Sequence, residues 1–349
     1  MSQNPAGHRP EAPGDAQTAA AVLRVDLDAD ESTRSPDVKA FVGRSPGQLA
    51  WIRLKRDRTA FVSGIVLIVA AVVALAAPLI ERITGISPTD QFTDQLSDFG
   101  ALPIGYLGGI TAKHPFGLEP GLGRDILMQL VYGMRTSLFI ALAAAAISTA
   151  IGVLIGVVAG YSRGWLDGLI SWVIDLALAF PFLIFALAAI PVVENRFFDP
   201  RANIPGSFRV GIIILTFAIF NWTTTARLVR GQVISLRERE FVESARASGA
   251  GVWHILLRQL LPNIWAPILV TVSLTVPAFI TAEAALAFVG IGVTEPTPDL
   301  GRMIYNSIGY LSSDPMYTFL PGMTIFLLVL AFNLFGDSLR DALDPKSTR

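Results

Sequence analysis

Residues 136–162 read TSLFIALAAAAISTAIGVLIGVVAGYS, bounded by Arg135 and Arg163 with no charge between them. A bilayer core of about 30 Å takes about 20 apolar residues at 1.5 Å rise each. The stretch therefore predicts a membrane-spanning helix. Within it Gly152, Gly156 and Gly160 recur every fourth residue, which lets helix backbones approach closely where no hydrophobic force drives association. Packing within the chain is the expectation for that seam, and a face between two copies is the alternative.

Working outward, five more apolar stretches of similar length follow the same rule. They cover about 59–80, 169–192, 210–228, 264–289 and 315–336. The 169–192 stretch holds one acid, Asp175, and the 264–289 stretch holds Glu283. The expected fold is all-α and integral to a membrane, with six transmembrane helices over 51–345. Composition agrees, with 52% hydrophobic and 16% charged residues and a mean hydropathy of +0.54. A soluble domain carries about 25% charged residues, so too few are present here to wet a globular surface. A net charge of −1 argues against nucleic acid, which demands a basic excess.

Residues 1–50 are polar and rich in Pro, Gly, Ala and Asp. They lack the apolar core of a secretory signal and read as a disordered tail that stays on the side where it was made. Arginine and lysine bias sets the orientation. Arg53, Lys55, Arg56 and Arg58 precede the first span, six arginines from Arg227 to Arg258 lie between the fourth and fifth, and Arg340, Lys346 and Arg349 follow the last. With an even number of spans these fall on one side. Both termini and the Arg-rich loop are thus expected in the cytoplasm. The sparser Arg82, Lys113, Arg124 and Arg135 mark the long 82–135 segment as external.

Enzymatic chemistry finds no foothold. The lysines Lys39, Lys55, Lys113 and Lys346 never complete a phosphate-cradling G-x-x-x-x-G-K-[ST] loop. No G-x-S-x-G elbow or H-E-x-x-H pair occurs. There is no cysteine, and His8, His114 and His254 are too far apart to suggest a metal site. The chain is expected to bind no cofactor itself.

The informative polar segment is 236–262, LREREFVESARASGAGVWHILLRQLLP. Its first half predicts a helix from about Leu236 to Ala247, with Arg239, Glu243 and Arg246 on one face and Phe241, Ala245 and Ser248 on another. Gly249 suits a left-handed cap in the break that follows. A second amphipathic helix puts Val252, Trp253, Leu256, Leu257 and Leu260 on one side, and Pro262 ends or kinks it. This helix–turn–helix is a docking shape.

Glu243-Ser244-Ala245, Gly249 and Leu261-Pro262 resemble the EAA motif of permease subunits of ATP-binding-cassette importers, with Ser244 in place of an alanine and Gln259 in place of the usual isoleucine. His114-Pro115-Phe116-Gly117 with Gly123-Arg124-Asp125, Asp175 with Ala179-Phe180-Pro181, and Glu283-Ala284-Ala285-Leu286 narrow the likeness. They resemble the second, C-type permease subunit of the dipeptide/oligopeptide (and nickel) importer class, over about residues 47–345. The resemblance implies a type I importer fold. It implies that Glu240, Phe241, Val242, Glu243, Ser244, Ala245, Arg246, Gly249 and Ala250, with Leu261 and Pro262, form the coupling loop that grips an ATPase subunit. It also implies a second related permease chain, two ATPase subunits that hold ATP and Mg, and an external substrate-binding protein. His114, Phe116, Arg124 and Asp125 are the expected loop residues facing that protein. Nickel and glutathione remain alternative cargoes.

An acid at mid-bilayer costs roughly 2.5–3.5 kcal/mol, so Asp175 and Glu283 must face water or a partner. Both are candidates for the translocation path, together with Asn221 and Asn333. For Glu283 the competing reading is an interhelical hydrogen bond that fixes packing. The rival class is an autonomous secondary transporter, which often shows inverted repeats and paired mid-membrane charges. No internal repeat is visible, and neither acid has an evident basic partner inside a span.

Overall fold

A computed structural model describes residues 46–199 and 202–344. Most of the expected N-terminal tail, with Arg201, Lys346 and Arg349, lies outside the described residues. Among those described, the chain is helical and has no strand beyond three isolated bridges. The elements are α1 (Pro46–Arg56), α2 (Arg58–Leu75), α3 (Ala77–Thr84), α4 (Ile126–Tyr161), α5 (Trp165–Ala179), α6 (Phe182–Phe197), α7 (Gly206–Leu236), α8 (Glu240–Ala247), α9 (Trp265–Phe288), α10 (Leu300–Ser307) and α11 (Pro315–Leu343). Five of them, α2, α4, α7, α9 and α11, are long and apolar enough to cross a membrane. A sixth span results if α5 and α6 count as one.

That pair breaks the expected third span at Pro181, where α5 and α6 meet at 88°. Phe180 is extended (φ −87°, ψ 130°), as the residue before a proline tends to be, and Pro181 has no N–H to continue the ladder. The first span also ends early. Ala76 separates α2 from α3, whose first turn carries Pro78.

Elsewhere the helices outrun their apolar stretches. α4 starts ten residues before Thr136, at Ile126, behind an N-cap Asp125 whose carboxyl takes the Met128 N–H at 2.8 Å. α7 continues past Arg227 and Arg230 to Leu236, and α11 runs on to Leu343. Charges mark where lipid-facing stretches end, not where the hydrogen-bond ladder does.

α4 and α7 form the spine. A Cβ on Gly152 would stand 2.6 Å from the Thr225 Cβ, on Gly156 2.8 Å from the Val229 Cβ, and on Gly160 2.7 Å from the Val233 Cβ. The glycine seam therefore packs within the chain. α9 lies against α4 and α11, and α11 against α2. One apolar cluster fills the bundle around Ile140, Phe217, Ile280 and Leu328. A second, around Val229, Val233, Val242 and Leu260, sits where the loop 236–262 meets the ends of α4 and α7.

Candidate functional site: the coupling loop and the charges behind it

The loop is a hairpin of two short helical pieces clamped on the second cluster. α8 begins at Glu240, not Leu236, since Arg237–Arg239 form a turn with Arg239 extended at the N-cap. Glu240 and Glu243 occupy its first turn and Arg246 its last, the order the helix dipole favours. The side chain that α8 buries is Val242, with Ala245 packed beside it. Phe241 is exposed.

α8 ends in a Schellman motif. The Gly249 N–H donates to the Arg246 carbonyl at 2.9 Å and the Ala250 N–H to the Ala245 carbonyl at 3.0 Å, which satisfies carbonyls that the helix end would orphan. Gly249 has φ +80°, and nothing lies within 4 Å of where its Cβ would be. Glycine is required there by backbone conformation, not by space.

The return piece is not one α-helix. Val252–His254 gives way to a π turn at Ile255–Leu260 and a 3-10 turn at Leu261–Asn263 that contains Pro262. The wider π turn rotates the faces. Ile255, Leu256 and Leu260 are buried, whereas Val252, Trp253 and Leu257 are exposed. This corrects the single apolar face expected for all five. The apolar rim Phe241, Val252, Trp253 and Leu257 stands beside the exposed Glu240, Glu243 and Ser244. Exposed apolar side chains grouped in this way are a surface suited to contact with another protein or with the membrane.

The hairpin is tied to the bundle by arginines. Arg237 donates to the Gly160 and Ser162 carbonyls at 2.9 and 3.0 Å, closing the end of α4. The Arg246 guanidinium lies 5.3 Å from the Tyr161 ring. Behind it, Arg230 grips Asp167 with two bonds of 2.6 and 3.0 Å, and Arg227 pairs with Asp175. Asp175 therefore has a basic partner inside a candidate span, contrary to expectation. Both members of that pair are more than half exposed.

Glu283 sits differently, 1% exposed in the bundle interior. The Ser137 hydroxyl of α4 lies 3.1 Å from its Oε2 and 3.2 Å from Oδ2 of Asp299, while its Oε1 has no partner. Asp299 also caps α10 through the Arg302 N–H at 2.9 Å. Glu283 thus joins α9, α4 and α10 within the chain. Asn221 bonds locally to the Phe217 carbonyl at 3.2 Å, and Asn333 is half-buried.

Residues 152–349 match the family of binding-protein-dependent transport system inner membrane components, and residues 45–98 match the N-terminal transmembrane domain of oligopeptide transport permease C. The chain belongs to this permease family. It is 34% identical to the dipeptide transport system permease protein DppC of Alkalihalophilus pseudofirmus, over 90% of this chain and 95% of that one. It is 37% identical to the glutathione transport system permease protein GsiD of Shigella flexneri, over 89% and 94%. A crystal structure of the MetNI methionine ABC transporter shares the fold, at 21% identity and a TM-score of 0.51 over 63% of this chain and 98% of that one. Family and fold together make the chain a multi-pass inner-membrane transport component. They set aside the autonomous carrier.

On the opposite end of the permease from the hairpin, the long loop folds inward on its polar residues. The His114 Nδ1 lies 2.8 Å from Asp125 Oδ2, and His114, Arg124 and Asp125 are all buried. The Arg124 guanidinium makes bonds of 2.5 and 2.9 Å to Glu119, which also accepts the Tyr317 hydroxyl at 2.6 Å. Burial opposes the charge on Arg124, yet the paired Glu119 holds its pKa above the usual arginine value. Of the four residues expected to face an arriving protein, only Phe116 reaches the surface. The other three shape the loop. Residues missed from sequence are their partners, Glu119 and Tyr317, along with Ser137, Asp299 and Arg227. Each is ordinary in composition and meaningful only through a contact across the chain.

Proposed function

We propose that this permease forms half of the translocation pore of an ATP-driven importer of short peptides. The observation that carries the reading is the hairpin at 236–262, which presents an acidic and apolar face outside the bundle and is anchored by Val242, Ala245 and Leu260. Glu240 through Ala250, with Leu261 and Pro262, seat the ATPase subunit; this chain supplies no nucleotide site. ATP and Mg belong to the two ATPase partners, a second related permease completes the pore, and a substrate-binding protein docks opposite the hairpin. Both termini share the cytoplasmic side with the hairpin.

The mechanism is alternating access. Closure of the ATPase pair moves the hairpin, and Arg237 and Arg246 carry that displacement to the end of α4. The exposed Asp175–Arg227 pair lies on the translocation path. An exposed ion pair in lipid would be costly, and a water-filled pore relieves that cost. Glu283, enclosed by its own chain, acts in packing.

The dipeptide permease relatives support peptides as cargo, and the glutathione permease relative supports a tripeptide within the same class. Uptake of labelled dipeptide, competed by glutathione or by nickel, distinguishes these. The coupling assignment is tested by ATPase co-purification and uptake for Glu243→Lys and Gly249→Val; normal uptake in both would sink it.

A further inference from the structure

α1 ends in Arg53, Lys55 and Arg56, and Arg58 opens the span α2. Its Leu49 and Trp51 are exposed, and the Lys55 ammonium lies 5.0 Å from the Trp51 ring. A basic amphipathic helix running straight into a span lies along the headgroup layer, with tryptophan at the boundary. Between this helix and the final turns of α11 is a cavity of about 560 Å³, within the range of roughly 300–1,000 Å³ that ligand pockets occupy.

Part of the charge on its walls is unspent. Arg53 gives one N–H to the Asp344 carbonyl at 2.8 Å. Asp57 is used by the Thr59 N–H at 2.8 Å and by Ser338. Arg56 on one wall, and Asp337 and Asp341 on the other, have no ion-pair partner among the described residues. Asp337 and Asp341 stand four apart on one helix, where like charges repel. A ligand with both signs relieves both walls.

We propose that this cavity holds the head of a phospholipid bearing a phosphate and a primary ammonium. The phosphate meets Arg53 and Arg56, whose guanidinium forks suit its oxygens, and the ammonium meets Asp337 and Asp341. A purely anionic head leaves the two aspartates unanswered. A quaternary head has no N–H to donate to them.

The test uses the purified full-length complex. Lipid retained after delipidation and exchange with phosphatidylethanolamine, phosphatidylglycerol or phosphatidylcholine is counted by native mass spectrometry. Phosphatidylethanolamine is expected to be retained over both others. Arg56→Gln and Asp341→Asn are each expected to weaken that retention about tenfold, with ATPase co-purification unchanged as the check on folding. Equal retention of phosphatidylglycerol or phosphatidylcholine would overturn the proposal. So would soluble phosphoethanolamine binding as tightly as the lipid, or both variants losing the ATPase subunit while keeping the lipid.

Discussion

Gly156 offers the sharpest perturbation of the α4–α7 spine. A Cβ there would stand 2.7 Å from the Ala226 carbonyl oxygen and 2.8 Å from the Val229 Cβ. Carbon atoms rest at about 3.5–4.0 Å, so Gly156→Ala forces the helices apart locally by at least about 0.7 Å. One of the two contacts is backbone, so no rotamer change relieves it. Overpacking of this kind costs about 1–3 kcal/mol, and one or two kcal/mol shift the folded-to-unfolded ratio about 5- to 30-fold. Gly152 and Gly160 lie one turn away on either side, about 6 Å along the axis. Helices parted for one methyl already make room for the next, so Gly152→Ala with Gly156→Ala is expected to cost less than the sum. The assay is the thermal midpoint of the detergent-purified complex, expected to fall in the order Gly156→Ala, Gly156→Val, Gly156→Leu. An unmoved midpoint for Gly156→Leu would refute the reasoning. So would crosslinking between two copies through Gly156→Cys, a clean probe because the chain has no other cysteine.

At Gly249, open space and a positive φ separate conformation from sterics: Gly249→Ala is expected to lower uptake mildly, by about 1 kcal/mol of turn strain, and Gly249→Val more, with Gly251→Ala as a neutral control. Glu283→Gln is expected to keep both the abundance of the complex and uptake, while Glu283→Leu, which removes the acceptor that ties α9 to Ser137 of α4, lowers abundance by about 1–3 kcal/mol of lost polar satisfaction; a Gln variant that assembles but does not transport would move Glu283 into the path. Asp314, just ahead of α11, is buried, and burial raises its pKa above the ordinary 3.8 against the opposing pull of the Met316 and Tyr317 backbone N–H groups. Folding therefore favours its protonated form, so its contribution is whole below that ordinary value and lost as pH rises through the raised one. Asp314→Asn is expected to flatten this decline in a pH series of thermal midpoints; an unchanged slope would count against it.

Much of this permease is legible in its sequence because lipid is a demanding solvent. The apolar stretches place the spans, Gly249 announces its turn, and the Gly152–Gly156–Gly160 repeat announces a close helix pair. Its partner is not announced, because Thr225, Val229 and Val233 carry no mark of their own. Pro181 signals a break, but the 88° angle depends on what α5 and α6 pack against. The face exchange at Trp253 and Leu257 follows from a π turn, for which the residues give no local warning. Arg227 and Arg230 read as loop charges because their acids, Asp175 and Asp167, lie some fifty to sixty residues upstream.

With 36 residues, α4 is about 54 Å long at 1.5 Å per residue, against a hydrocarbon core of about 30 Å. One end is held by Arg237 and Arg246 of the hairpin, and the other carries Asp125 and its bond to His114. Treated as a lever pivoting at the hairpin end, it turns each degree of tilt into about 0.9 Å of travel at Asp125. A few degrees displace the 82–135 loop by about the width of a hydrogen bond. Such a rod has no slack in which to lose the stroke, so in the proposed transport cycle the 82–135 loop and the hairpin keep time with each other mechanically.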